Sequence, residues 1–117
     1  MNASKMAQRA YAPTSAPIKS ERSIEYEVIA RITYRLKAAI EGNKFPPLVE
    51  ALHENRTLWQ RFSIDVADPA NLLPKDLRAR IFYLAEFTDH HTSKVINEKV
   101  SAVPLLEVNT AIMRGLK

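Results

Sequence analysis

The chain of 117 residues has no cysteine and only two glycines, Gly42 and Gly115. The first absence excludes a disulfide framework, thiol catalysis and any zinc site built on sulfur. The second argues against a β-sandwich or a nucleotide-binding α/β fold, whose turns and phosphate loops draw heavily on glycine. No apolar run approaches the ~20 residues that cross a bilayer, so no membrane role is expected. The opening MNASKMAQRAYAPTSAPIKSERS holds no apolar core of the signal-peptide kind. It is rich in Ala and Ser and its first acid is Glu21, features shared with organellar transit peptides, but a flexible docking arm fits that composition better. Glycine-rich phosphate loops, a nucleophile elbow and HExxH are all missing. Catalysis and cofactors are therefore not expected.

What is present suits one small globular core. Hydrophobic residues make up 46% and charged residues 26% of the chain, ordinary values for a single domain of this length. The net charge of +4 is placed unevenly. Residues 1–40 hold seven Lys/Arg against three Glu, whereas residues 41–117 hold ten basic and ten acidic side chains. The folded bulk is neutral, and the basic character lies in the arm and the first helix. An RNA-binding surface normally shows a denser basic stripe.

Periodicity divides the chain into a flexible N-terminal arm over 1–19 and a helical domain over 20–117. Ser20 is placed to cap a first helix reaching Glu41, with Val28, Ile32, Leu36 and Ala39 on one face. Gly42-Asn43 supplies a left-handed stop. A second helix starts after Phe45 with Pro46 and Pro47 in its first turn, where a missing N–H costs nothing. Leu48, Leu52, Asn55, Trp59, Phe62 and Val66 give it a heptad-like stripe, and Asp68-Pro69 ends it. A third opens near Pro74 and ends between Asn97 and Lys99. Its stripe is Leu77, Ile81, Leu84, Thr88, His91 and Val95. A short fourth follows Ser101, with Pro104 in its first turn and Leu105, Asn109, Ile112 and Leu116 as its stripe. Four amphipathic helices with short links predict an all-α, antiparallel four-helix bundle.

The polar residues offer little chemistry. His90 and His91 are adjacent, hence about 100° apart on a helix, and cannot grip one metal as an i, i+4 pair would. His91 is expected to be packed and hydrogen-bonded, His90 solvated. Asp65 and Asp68 are placed to cap or anchor the second link, and Asp89 to pair with a basic neighbour. Asn55 and Asn109 fall inside apolar stripes, where a buried amide is costly unless paired. They are expected to fix the register of the bundle or to satisfy a broken backbone end, although a bond to a docked peptide is the other reading. Ile81-Phe82-Tyr83-Leu84-Ala85-Glu86-Phe87 is apolar on nearly every helical face, so either the third helix is central or part of it is a docking surface.

The ordered set of motifs resembles a known family. It comprises Glu21-Arg22 with Glu25-Tyr26, Arg31-Ile32-Thr33 with Leu36, Asn55-Arg56 with Leu58-Trp59, and Asp65-Val66. There follow Pro69, Asn71, Leu73-Pro74 and Leu77-Arg78-Ala79, a run ending His91-Thr92, then Leu105-Leu106, Val108-Asn109, Ala111-Ile112 and Arg114-Gly115-Leu116. In this order they resemble the FlaF family of alphaproteobacterial flagellar biosynthesis regulators, over residues 20–117, with a weaker echo at Tyr11-Ala12. The resemblance implies a cytoplasmic, non-enzymatic protein needed for flagellin production. It also implies flagellin and the regulator FlbT, which acts on flagellin mRNA, as partners, and a chaperone-like role. On that basis Trp59, Phe82, Tyr83 and Phe87 are the expected anchors for an amphipathic segment of unpolymerised flagellin, with Arg56 and Arg78 as charged rim contacts. The alternative is direct RNA contact through Arg22, Arg31, Arg35 and Lys37, although pairing of Arg31 and Arg35 with Glu27 and Glu41 is the simpler account.

Overall fold

The computed structural model describes residues 21–116, with side chains from Glu25 to Gly115. The expected N-terminal arm and the Ser20 cap lie outside the described residues. Within them the chain forms four helices and no strand: α1 (Glu21–Gly42), α2 (Phe45–Ala67), α3 (Lys75–Glu98) and α4 (Val103–Leu116).

Local chemistry sets the boundaries. α1 stops where Asn43 turns left-handed at φ 53°, while Gly42 is still helical and has no positive φ. The stop thus belongs to the asparagine, one of the few side chains that tolerate this region. Pro46 and Pro47 open α2, and the first bond of its opening turn runs from Leu48 N–H to the Lys44 carbonyl. In the α2–α3 link, Asp68 Oδ1 accepts from Ala70 N–H at 2.9 Å and Asn71 Oδ1 from Leu73 N–H at 3.0 Å. These two Asx turns replace helical bonds with side-chain ones. α3 ends at Lys99, left-handed at φ 59°. Ser101 Oγ then accepts from Val103 N–H at 3.1 Å and caps α4.

Short links make sequential helices antiparallel, and the four close into a ring in which α1 and α3 each pack on α2 and α4. The core falls into two apolar clusters. One holds Ile29, Ile32, Leu58, Trp59, Phe62, Leu77, Ile81 and Ile112, the other Leu36, Leu52, Val95, Ala102 and Leu105. Each large aliphatic side chain so buried contributes about 1.5–3 kcal/mol.

Between the clusters lies a polar layer. On α1, Thr33 falls between Ile32 and Leu36; on α2, Asn55 between Leu52 and Leu58. On α3, Thr88 and Thr92 lie between Ala85 and Val95; on α4, Asn109 between Leu105 and Ile112. Asn109 is the hub. Its Oδ1 accepts from Trp59 Nε1 at 2.8 Å, and its Nδ2 donates to Asn55 Oδ1 at 2.9 Å and Thr33 Oγ1 at 3.0 Å. One amide on the shortest helix thereby ties α4 to α1 and, across the diagonal of the ring, to α2. Thr92 Oγ1 donates to the Thr88 carbonyl at 2.6 Å within α3. Both asparagines are thus paired with side chains inside the bundle, and slipping α4 by one residue would leave Trp59 and Asn55 without partners in the core.

Candidate partner-binding surface

The residues expected to meet a partner occupy very different places. Trp59 is 1% exposed, packed edge-on to Phe62 and bonded to Asn109. It is a core residue, and its expected role as an anchor is corrected. The stripe on which it lies is the face α2 turns inward.

The two arginines hold the bundle together. Arg78, half-buried at the start of α3, donates through Nε and Nη2 to the Val66 carbonyl (3.1 and 3.0 Å) and through Nη2 to the Asp68 carbonyl (2.9 Å). It satisfies carbonyls that the end of α2 leaves free. Arg56 donates from Nη2 to the Asp89 carbonyl at 3.1 Å and Ser93 Oγ at 2.8 Å, and its Nε lies 3.2 Å from the Asp89 carboxylate. Both pin α2 to α3, and the expected pairing of Asp89 with a basic neighbour is seen here.

The aromatics of α3 are the exposed part of the set. Tyr83 is 71% exposed, Phe82 46% and Phe87 37%. They form two strips rather than one patch, because adjacent helical residues diverge by about 100°. Phe82 shares its flank with Arg78 and Asp89, which touch α2. Tyr83 and Phe87 share theirs with His91. The His91 ring stacks on Phe87 at 5.4 Å, and its Nε2–H donates to the Ser101 carbonyl at 2.8 Å, at the turn into α4. His90 is exposed, as its position beside a packed His91 requires. α3 is thus buried on one side against two neighbours, and its apolar excess lies on the side that faces solvent.

Two concavities lie away from these aromatics. An open cleft of about 760 Å³ between α1 and α2 is lined by small residues, among them Ala38, Ala39, Ala51, Pro46 and Pro47. The Arg35–Glu54 ion pair forms part of its wall. Arg35 therefore pairs across to α2 and not with Glu41, which removes one charge from the proposed basic face of α1. A second recess, about 420 Å³, sits between the α1–α2 and α3–α4 turns. None of the α3 aromatics lines either. Periodicity gave no warning of exposed Ile64, Leu72 or Tyr34, since isolated apolar residues are common on surfaces. Among the described residues no group of three or more His, Asp or Glu is placed to hold a metal ion, and no helix is long and apolar enough to cross a membrane.

Fold and surface together define a small antiparallel four-helix protein with a closed, polar-layered core and an aromatic face on α3. The model of one family, described as flagellar protein FlaF, matches residues 7–116, and the chain belongs to that family. The match begins fourteen residues ahead of α1. No curated protein and no solved structure matches the chain significantly.

Proposed function

We propose that this flagellar protein works in flagellum biogenesis by binding another protein, with unpolymerised flagellin as the first candidate and FlbT as the second, and that it regulates flagellin production in this way in the cytoplasm. The single observation that carries the surface assignment is the outward face of α3, where Phe82, Tyr83 and Phe87 remain exposed on a helix already packed on two neighbours. Large aromatics make the strongest anchors in protein interfaces, because each buries much area at little entropic cost. An amphipathic helix laid along α3 would cover the Tyr83–Phe87 strip, and the terminal segments of flagellin, which become amphipathic helices only within the filament, could form such a helix here.

The test is co-purification of flagellin, and separately of FlbT, with the wild-type chain and with F82A/Y83A. Both side chains are exposed, so the double variant should keep its helical circular dichroism and the emission of buried Trp59. Flagellin recovery should fall at least tenfold, since an interface anchor is worth about 2 kcal/mol or more. Unchanged recovery by a folded variant removes α3 as the docking face. Retention of flagellin leader RNA with steep salt dependence, and no protein recovery, would replace protein binding by RNA binding.

A further inference from the structure

The recess between the α1–α2 and α3–α4 turns combines three features found together nowhere else among the described residues. First, its walls are apolar and partly open: Ile40 and Leu48 are half-buried, and Phe45 and Val100 are exposed. Second, two exposed lysines, Lys44 and Lys99, line it and no carboxylate does. Lys99 Nζ lies 3.8 Å from the centre of the Phe45 ring and 3.3 Å from the Ile96 carbonyl, so its charge is held in place with no carboxylate against it among the described residues. Third, the two non-glycine residues with positive φ, Asn43 and Lys99, both line this recess.

The third feature gives the others weight. The position after a helix end in left-handed conformation is one that glycine fills best. A lysine there is unfavourable for the backbone, and strained residues gather where a ligand is bound. Here the strain has a visible product: it swings the ammonium group over the ring of Phe45 from the other turn. A cation over a ring face at the mouth of an apolar recess favours a ligand that is apolar at one end and anionic at the other.

We propose that this recess binds a peptide segment in which a large apolar side chain lies next to a carboxylate, with a free chain terminus as its simplest form. The apolar group enters between Phe45, Leu48 and Val100, and the carboxylate meets Lys99 and Lys44. The site lies away from the α3 aromatics and does not depend on their role.

The probe is N-acetyl-Leu-Phe with a free carboxylate, compared with its C-terminal amide, titrated into the ¹⁵N-labelled full chain. The free acid should shift the amide signals of Asn43, Lys99, Val100 and Ser101 and bind three- to tenfold more tightly than the amide. K99G should weaken the acid to the level of the amide while the fold persists, because glycine suits that backbone. F82A/Y83A should leave the titration unchanged, which separates this site from the flagellin-docking face. Equal binding of acid and amide, undiminished binding by K99G, shifts confined to α3, or no shift at all would each overturn the assignment.

Discussion

The sharpest expectation concerns Asn109→Leu. The substitution keeps roughly the side-chain volume and removes three hydrogen bonds, to Trp59 Nε1, Asn55 Oδ1 and Thr33 Oγ1. Trp59 and Asn55 are fully buried, so their polar atoms cannot turn to water. Thr33 is only half-buried and can. Two stranded groups at about 1–3 kcal/mol each give a loss of about 2–6 kcal/mol. Better transfer of the leucine out of water returns about 1–2 kcal/mol. A net loss of about 3 kcal/mol is therefore expected, large against a domain stability of about 5–15 kcal/mol. At about 4–8 °C per kcal/mol for a domain of this size, melting should drop by about 12–24 °C. Urea unfolding followed by circular dichroism measures the loss. Trp59, the single tryptophan, reports the local change by a shifted emission maximum. The companion variant W59F/N109L also removes the stranded indole donor. If stranding is the cause, the double variant should be about 1–2 kcal/mol more stable than the two single losses added together. A loss under about 1 kcal/mol for N109L, or strict additivity in the double variant, would refute the account of the polar layer.

Other substitutions separate structural from incidental contacts. Arg78→Ala should cost about 1–2 kcal/mol, because carbonyls at the end of α2 lose their donor, and hydrogen exchange should quicken around residues 66–73. Arg35→Ala, which breaks an ion pair between exposed partners, should change the urea midpoint very little, by less than about 1 kcal/mol. Arg56→Ala should lie between the two, since its side chain is largely covered while Asp89 is exposed.

Helix boundaries were legible because each is written locally. Proline at the start of α2, Asp68-Pro69 at its end and Ser101 before α4 act through their immediate neighbours, so a linear reading finds them. The Asn55–Asn109 pairing was half legible. Polar residues inside apolar stripes announce a buried layer, but which side chain meets which depends on bundle register, and no single helix encodes that. Thr88 falls on the expected stripe of α3, but Thr33 lies off the stripe of α1 and passes unnoticed, since threonine is ordinary on a helix surface. The misplacement of Trp59 has the opposite origin. A tryptophan on a stripe fits core and interface equally, and only the presence of Asn109 opposite its indole decides the matter. Lys99 was invisible for a third reason: a left-handed lysine over a distant phenylalanine is a property of two turns brought together by the closed ring.

The polar layer also bears on how the α3 face is presented. Arg56 and Arg78 clamp α3 to α2 along one flank, and His91 ties the other flank to the turn before α4. α4 is itself held in register by Asn109. Rotation of α3 about its own axis would have to break contacts on both flanks, so Phe82 and the Tyr83–Phe87 strip are held at fixed angles on either side of the outward face. A partner would then meet a preformed surface and spend little free energy on ordering it. Asn109→Leu should consequently weaken flagellin recovery before it unfolds the protein, even though Asn109 is wholly buried. Recovery measured well below the melting point distinguishes this from simple unfolding. If N109L binds flagellin as the wild type does while its stability falls as expected, the register of α4 and the presentation of α3 are independent, and the coupling described here is wrong.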